Sequence, residues 1–249
     1  MSPAGGAEGL SARIVRKEFP AAGDAPPKLV IQQFELDVPA NRLTALFGPS
    51  GCGKTTTLNL LAGLDQDYQG EIRRPDPART AYVFQAPRLL PWRTVEDNLR
   101  LVQEEADEAA IDHWLGQMRL GDVRKVFPTR LSLGMARRVA LARAFVIQPN
   151  LLLMDEPFVS LDEPTAARLR LLLLDTLERH PATTLFVTHD LREAAMLAER
   201  IAILTPTPSR VAEVIEVGLD PGSRRDPAAV DRARAEVAER IGGLAPQPV

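Results

Sequence analysis

One short segment of the sequence limits the fold more than any other. The residues Gly48-Pro49-Ser50-Gly51-Cys52-Gly53-Lys54-Thr55 match the pattern G-x-x-x-x-G-K-[ST]. The segment follows a strand-like apolar run, 43–47, and opens a helix-like run, 55–62. Glycine lets successive backbone N–H groups turn inward around phosphate oxygens, and the helix N-terminus adds partial positive charge. The sequence therefore predicts a phosphate-binding loop; the alternative is a plain glycine turn between a strand and a helix.

The polar residues of this segment predict how it would hold a nucleotide. The Lys54 side chain would reach the β and γ phosphates, and the Thr55 hydroxyl would ligate Mg²⁺. Thr56 completes the set of phosphate-binding residues that begins at Gly48. Because Cys52 lies beside Lys54 at a helix N-terminus, we expect its thiol to have a depressed pKa. We also expect alkylation of this thiol to inactivate the protein and MgATP to protect it.

The pattern of apolar residues predicts an α/β fold. Buried strands are expected at 43–47, 80–84, 151–154 and 183–187, with helical patterns between them. Residues 94–148 differ from the rest of the chain. Their apolar residues recur with the spacing of a helix, and the segment contains no convincing strand. We interpret them as a helical lobe inserted into the sheet domain. A terminal helix is predicted at 226–241 from the spacing of Val230, Ala233, Val237 and Ile241.

Two carboxylates follow the third predicted strand. Asp155 and Glu156 come directly after the apolar run 151–154. Asp155 would hold the Mg²⁺ shell, and Glu156 would orient and polarise the water that attacks the γ-phosphate. Taken alone, the pair would indicate a solvated acidic turn at a strand end. The phosphate loop earlier in the chain favours the catalytic interpretation.

Composition narrows the class of protein. The chain has 249 residues and a formal net charge of −3, so no overall basic surplus attracts it to nucleic acid or anionic lipid. A single cysteine cannot form an internal disulfide, which fits a reducing cytosol. We expect no signal peptide, and no stretch of about 18 apolar residues occurs. Any role at a membrane is therefore expected to depend on a partner.

Further motifs occur in order along the chain. They are Gln85, Leu131-Ser132-Leu133-Gly134-Met135, Ser160-Leu161-Asp162 and His189. With the phosphate loop and the carboxylates, over roughly residues 10 to 220, they resemble the ATP-binding subunit of an ABC transporter. The resemblance implies an α/β P-loop NTPase core (a RecA-like ABC ATPase). It also implies an inserted α-helical subdomain and N-terminal antiparallel β strands.

The resemblance implies roles for single residues. Gln85 would touch Mg²⁺ and the attacking water, Asp162 would belong to the nucleotide site, and His189 would contact the γ-phosphate. Considered alone, a histidine after a buried strand would be expected to bond a nearby carbonyl. Phe19 is the best match to the aromatic residue that stacks on adenine, and the alternative is a core or strand-edge residue.

The segment around Ser132 predicts a dimer. Ser132 precedes a helical run and suits an N-cap, whose helix end can bind anions. The resemblance implies that Ser132 and Gly134 contact the γ-phosphate of ATP on a second copy of the chain. Two chains would then sandwich two nucleotides head to tail in a homodimer. Leu133 and Met135 depart from the family pattern, and a bulky residue at 133 would restrict the backbone if φ were positive there.

The segment from Gln85 to Val95 predicts the membrane partner. Its run around Trp92 resembles importers of nitrate, sulfonate and taurine, at the place where the family's ATPases receive a transmembrane permease. The alternative is that Trp92 packs on the core of its own chain. A solute-binding protein would take part indirectly, and no nucleic acid partner is expected. The protein would lie at the cytoplasmic face of the membrane, held there by the permease.

The sequence thus predicts an ATP-binding and ATP-hydrolysing subunit that energises uptake of a small solute. The alternatives are a soluble ABC-type ATPase acting on nucleic acid or the ribosome, and a regulatory module that binds ATP without hydrolysis. The predicted divisions are a flexible N-terminus (1–10), a nucleotide-binding core (11–86 and 149–220), a helical signature subdomain (87–148), and a C-terminal helix and tail (221–249).

Overall fold

The computed structural model describes residues 9–21, 23, 26–75 and 79–244, and the chain divides into two compact units. The first unit combines the chain up to Pro75 with the part from Thr183 onward, and the second is the segment between them, 76–182. Residues 1–8 of the predicted flexible N-terminus and residues 245–249 of the predicted tail lie outside the described residues. Leu10 begins a strand and is buried, which corrects the predicted boundary at residue 10.

The first unit contains a three-stranded antiparallel sheet in the order β2-β1-β4. Its strands are β1 (Leu10–Phe19), β2 (Lys28–Val38) and β4 (Gln69–Arg73). Buried and exposed residues alternate along β1, where Leu10, Ala12 and Ile14 are buried, because successive side chains point to opposite faces. The expected N-terminal antiparallel strands are therefore confirmed.

A second group of strands in this unit has the order β7-β3-β8-β9. They are β3 (Leu43–Phe47), β7 (Thr183–Thr188), β8 (Arg200–Leu204) and β9 (Val211–Glu216). The strand β3 pairs in parallel with β7 and with β8, whereas β8 and β9 are antiparallel. Every residue of β7 is buried, as is typical of parallel strands covered on both faces.

Three helices complete the first unit. They are α1 (Lys54–Ala62), α6 (Leu191–Leu197) and α7 (Pro227–Leu244). The helix α7 lies where a terminal helix was predicted, and Val230, Ala233 and Val237 are buried as the spacing requires. It packs against α6.

The second unit combines two parallel strands with four helices. The strands are β5 (Thr80–Val83) and β6 (Leu151–Asp155), and the helices are α2 (Val95–Arg100), α3 (Glu108–Gln117), α4 (Leu133–Phe145) and α5 (Glu163–Arg179). Residues 94–148, all of which are described, contain helices and short helical turns but no strand, as predicted. Because α4 packs on β5 and on α5, these strands group with the helices rather than with the first unit. No helix among the described residues is long and apolar enough to cross a membrane.

A buried carboxylate organises the start of the helical segment. The Glu96 side chain on α2 is 3% exposed and accepts charged hydrogen bonds from Arg100, Arg124 and Lys125. Arg100 Nε lies 2.7 Å from a Glu108 oxygen, which joins α2 to α3. Burial alone would raise the pKa of Glu96, but hydrogen bonds from the three cations outweigh it and lower the pKa to about 2.

Glu96→Gln tests this cluster through pH. Because the folded pKa of Glu96, about 2, lies below its ordinary value of 4.5, the cluster stabilises the fold above pH 4.5. That contribution is lost as pH falls towards 2. We expect the variant to be about 2 kcal/mol less stable at pH 7. We expect the difference from wild type to shrink between pH 4.5 and 2.

Urea unfolding followed by tryptophan fluorescence measures this difference, since both tryptophans, Trp92 and Trp114, lie in the second unit. Glu105→Gln, at an exposed position, is the matched control and should match wild type at each pH. A stability difference that stayed constant from pH 7 to pH 2 would contradict the assignment.

Candidate functional site

The predicted phosphate loop joins β3 to α1 in the first unit. Two of its glycines have positive φ values, 77° at Gly51 and 98° at Gly53, which other residues rarely adopt. A Cβ at Gly53 would lie 2.7 Å from Cγ1 of Val30, and a Cβ at Gly48 would lie 2.9 Å from Cβ of Leu204. At Gly53 and Gly48 there is thus no room for a side chain. The loop has the close-packed geometry that a phosphate cradle requires.

The start of α1 adds positive potential to the loop. Gly53 has no side chain to cap the helix, and no acidic residue lies in the first turn. The partial positive charge at the helix N-terminus is therefore not offset by a carboxylate of that turn. Residues 49–51 and Thr55 are exposed, whereas Thr56 is half-buried. An anionic ligand can reach the rim of the loop from solvent.

Lys54 is folded back over the loop. Its side chain is buried, and Nζ donates to the carbonyl of Gly48 at 2.8 Å and to that of Pro49 at 2.9 Å. Among the described residues it forms no ion pair, and its hydrogen-bond partners there are neutral carbonyls. A buried cation with dipolar partners alone gains strongly from an anion placed beside it. This arrangement fits a phosphate ligand.

The expectation for Cys52 is wrong. The thiol is buried, and burial raises its pKa, outweighing the opposing effect of the Lys54 charge. Its Sγ lies 3.1 Å from where a Cβ on Gly48 would be, so it points into the packed base of the loop. A thiol in this environment is a small apolar packing group rather than a reactive nucleophile.

His189 follows β7 in a turn that is held by hydrogen bonds. Asp190 caps α6 by accepting from the backbone of Arg192 and Glu193, and its own N–H donates to the Thr188 hydroxyl at 3.0 Å. The Thr188 hydroxyl donates to Glu193 at 2.7 Å. His189 is exposed between these two anchored residues. The turn thus presents the imidazole at the carboxyl end of a parallel strand, the edge at which α/β sheets bind ligands.

Phe19 ends β1, the central strand of the antiparallel sheet, and is 41% exposed. The core interpretation is therefore wrong. The Lys17 ammonium lies 4.8 Å from the ring centroid, and it also donates to the Asp67 carbonyl at 2.7 Å and pairs with Asp65 at 2.9 Å. These contacts hold one side of the Phe19 ring and leave much of it open to solvent. An exposed aromatic ring of this kind can stack on a base.

The two predicted carboxylates end β6 in the second unit. Every residue of β6 is buried, including Asp155 at 4% exposure. Glu156 follows with a φ of 43°, a strained value for a residue other than glycine. Burial raises the pKa of Tyr82, and the nearby negative charge of Asp155 raises it further. The structure thus holds a buried carboxylate at the end of the strand with a more accessible one next to it.

The donors predicted for Mg²⁺ have suitable chemistry. They are the Thr55 hydroxyl in the first unit, and the buried Asp155 carboxylate and the exposed Gln85 amide in the second. Mg²⁺ prefers oxygen ligands and is usually held by one or two carboxylates together with substrate phosphates. Among the described residues, no cluster of three or more His, Cys, Asp or Glu side chains is placed to hold a metal. Each of these donors is thus an oxygen ligand of the kind that Mg²⁺ prefers.

Ser132 begins the signature helix as predicted. It is the N-cap of α4, and its side chain accepts from the N–H of Met135 at 3.3 Å. Leu133 is the first helical residue and has no positive φ, so the expected loss of backbone freedom does not arise. A Cβ on Gly134 would lie 2.7 Å from Cγ2 of Thr165. Glycine therefore permits close packing against α5.

Asp162 caps α5 in the same unit. Its side chain accepts from the N–H of Thr165 at 3.0 Å, and this hydrogen bond lowers the pKa of Asp162. Since Thr165 also contacts Gly134, the signature helix and the segment ending at Asp162 lie side by side.

Trp92 does not pack on the core, so that alternative is wrong. It is 69% exposed, and Pro91 and Arg93 beside it are also exposed. The loop is nevertheless ordered by the buried Asn98, whose amide donates to three backbone carbonyls and whose Oδ1 accepts from the N–H of Leu90 at 2.8 Å. A large aromatic side chain on a fixed loop is suited to contact with another protein.

Comparison with known families decides the classification. Residues 31–159, more than half of the chain, match the family described as ABC transporter. The chain belongs to the ABC transporter family. The match covers the phosphate loop, Gln85, the signature helix and both carboxylates.

Other members of this family resemble the chain over most of its length. It is 41% identical over 224 residues to the aliphatic sulfonates import ATP-binding protein SsuB 1 of Pseudomonas savastanoi, covering 88% of this chain and 90% of that one. It is also 41% identical over 230 residues to the protein named SsuB of Bacillus licheniformis, with 88% and 89% covered.

Solved ABC cassettes have the same fold. One is a dimeric ATP-binding cassette in a post-hydrolysis state bound to ADP and Pi, with a TM-score of 0.73 and 25% identity. Another is a dimeric bacterial ABC transporter cassette, with a TM-score of 0.73 and 24% identity. Each alignment covers 85% of this chain and all of the other. The predicted P-loop ABC ATPase fold is therefore confirmed.

The predicted ABC site residues fall into two sets. The phosphate loop, His189 and Phe19 lie in the first unit, whereas Gln85, Asp155, Glu156, Ser132, Gly134 and Asp162 lie in the second. Within the second unit, the structure brings the signature helix against α5, the helix that Asp162 caps. Each unit thus holds a different subset of the residues that were predicted to form the ATP site.

One contact that supports the phosphate loop was not predicted from the sequence. The hydroxyl of Thr207 donates to the Gly51 carbonyl at 2.9 Å, although the two residues are 156 positions apart. Two residues further on, Ser209 donates its N–H to the Val30 carbonyl at 2.8 Å and places its hydroxyl 3.5 Å from where a Gly53 Cβ would be. The turn containing Thr207 carries only generic loop residues, so no motif in it indicated this contact.

Cys52 gives a test of the loop geometry. Because its thiol is buried and its pKa is raised, we expect alkylation by iodoacetamide at pH 8 to be at least about tenfold slower than for a free peptide thiol. Urea should restore the peptide rate, and mass spectrometry can follow both reactions. Rapid labelling of the folded protein at pH 8 would contradict the packed geometry.

Proposed function

We propose that the protein binds and hydrolyses ATP to energise an importer for aliphatic sulfonates or chemically similar small solutes, such as taurine and nitrate. One observation carries this proposal. A phosphate loop with the required backbone geometry lies in a chain 41% identical, over most of its length, to proteins named for aliphatic sulfonate import. Import and the solute class are properties of those relatives, and their extension to this chain is our proposal.

The phosphate loop would bind the nucleotide through backbone N–H groups of residues 48–56. On binding, Lys54 would exchange the carbonyls of Gly48 and Pro49 for phosphate oxygens, which are stronger partners for a buried ammonium. The glycines at 51 and 53 already have the φ values of this cradle. Little reorganisation would precede phosphate binding, so the loop is prepared for its ligand.

Mg²⁺, when bound, supplies positive charge that neutralises the β and γ phosphates. Thr55, Gln85 and Asp155 would provide its protein ligands. Glu156 would orient the attacking water and accept its proton, because it is the more accessible carboxylate of the pair. His189 would contact the γ-phosphate from its anchored turn, and the exposed ring of Phe19 would stack on the adenine.

The working unit would be a homodimer. Ser132 and Gly134 begin α4, whose N-terminus can face the γ-phosphate of ATP held by the other subunit, with Asp162 nearby. The dimeric state of the related cassettes supports this assignment. A chain with one phosphate loop and one signature helix would carry half of each of two sites.

The segment from Gln85 to Val95 would dock a transmembrane permease at the cytoplasmic face of the membrane. The exposed Trp92 on a loop fixed by Asn98 supports this role. We propose residues 87–148 as the signature subdomain, which includes residues 87–95 of this segment. A solute-binding protein would deliver the transported molecule to the permease.

Glu156→Gln tests the catalytic assignment. The amide keeps the size of the side chain but cannot accept a proton at neutral pH, so we expect turnover to fall by about 10²- to 10⁴-fold. ATP affinity should stay within about twofold, because the phosphate loop is unchanged. Phosphate release measures turnover, and equilibrium titration with a fluorescent ATP analogue measures binding. Glu105→Gln is the matched control and should keep wild-type values; wild-type turnover in Glu156→Gln would refute the assignment.

Uptake by the assembled transporter tests the solute class. We expect proteoliposomes holding this protein and its permease to take up a labelled aliphatic sulfonate, taurine or nitrate when ATP is supplied. Assemblies with Glu156→Gln should take up none. Stimulation of ATP hydrolysis by DNA, without uptake of any of these solutes, would support the nucleic-acid alternative instead.

A further inference from the structure

A buried arginine joins two of the proposed catalytic segments. Arg137 lies on the second turn of α4 and is 3% exposed. Its Nη1 donates to the carbonyl of Phe84 at 3.1 Å, and its Nη2 donates to the carbonyl of Val159 at 3.3 Å. Phe84 immediately precedes Gln85, and Val159 lies three residues after Glu156. One planar side chain thus spans both segments.

A gain in folding stability does not explain the buried charge of Arg137. No carboxylate pairs with it among the described residues, and its buried Nε has no hydrogen-bond partner there. Burial lowers the pKa of this guanidinium. Burying a charge against neutral carbonyls is costly, and apolar side chains of similar volume often serve a core as well. A position that keeps such a charge is better explained by the geometry that it imposes.

The turn held by Arg137 is strained. Glu156 has a φ of 43° and Ser160 has a φ of 64°, both in the left-handed region that favours glycine. The Val159 N–H donates to the Glu156 carbonyl at 3.3 Å, so Val159 closes the turn that begins at the proposed catalytic carboxylate. Strained residues persist only where their surroundings fix them. The Arg137 contact to Val159 lies between the two strained residues.

The segment that contains Gln85 is held by the same helix at both ends. Arg137 binds the Phe84 carbonyl, and Arg143 donates to the carbonyls of Pro87 at 3.0 Å and Arg88 at 2.9 Å. Gln85 itself is exposed and lies between these fixed carbonyls. Its backbone position is therefore fixed by contacts from α4 on both sides.

We propose that Arg137 is a positioning residue for ATP hydrolysis, which sets Gln85 and Glu156 at a fixed separation by bridging the backbone of their two segments. The inference rests on the proposed function of these two side chains. Among the described residues, the Arg137 side chain donates to Phe84 and Val159 and to no residue assigned to phosphate binding. Its loss should therefore slow turnover without weakening ATP binding, because misplacement of reacting groups acts on the chemical step.

Arg137→Met removes both donors while keeping an unbranched side chain. We expect kcat to fall by about tenfold to a hundredfold with KM for ATP within about twofold of wild type. The matched control is Arg138→Met on the same helix. Arg138 also donates to two carbonyls, those of Met118 and Arg119, at 3.2 and 3.3 Å, but neither belongs to a proposed catalytic segment. The control should lose similar thermal stability and keep the wild-type kcat.

Arg137→Lys is the second variant, for use if Arg137→Met fails to fold. An ammonium keeps the charge but lacks the planar fork, so we expect a kcat between those of wild type and Arg137→Met, again with unchanged KM. A wild-type kcat in Arg137→Met, or in Arg137→Lys if only that variant folds, would overturn the inference. An equal fall of kcat in Arg138→Met would overturn it as well. If the wild-type protein hydrolysed no ATP with its permease, the proposed function would fail instead.

Discussion

Exclusion of side chains from the phosphate loop is the constraint on which the nucleotide site depends. Val30 and Leu204 approach the loop so closely that a Cβ at Gly53 or Gly48 would overlap them. This packing restricts the loop backbone, and Lys54 donates to the loop's own carbonyls. An anion would therefore meet a preformed loop and a buried cation that has no charged partner in the part of the chain that the structure describes.

The second unit has a different role. It holds polar side chains in strained or exposed positions. Glu156 has a positive φ, and Gln85 is exposed. Both segments are tied to α4 through backbone carbonyls. A helix that begins at the proposed phosphate-sensing Ser132 also supports the proposed water-binding groups. The signature helix is therefore structural support as well as a candidate ligand.

The features that could be predicted from the sequence are those that neighbouring residues encode. The phosphate loop, the carboxylates after β6 and the N-cap at Ser132 are contiguous patterns, and the structure places each on the expected element. Long-range packing was not predictable. The reactive thiol expected at Cys52 is wrong because the thiol is buried in the folded chain, which raises its pKa. Thr207 and Arg137 were missed for the same reason, since their partners lie at least 22 positions away.

A complementation measurement tests most directly the claim that each ATP site is built from two chains. Lys54→Ala should disable the phosphate loop, and Ser132→Arg should block the signature; each variant alone should be inactive with the permease. In an equal mixture, half of the dimers are mixed and each holds one intact site, which predicts about a quarter of wild-type ATP hydrolysis. A mixture no more active than its separate components would contradict the account.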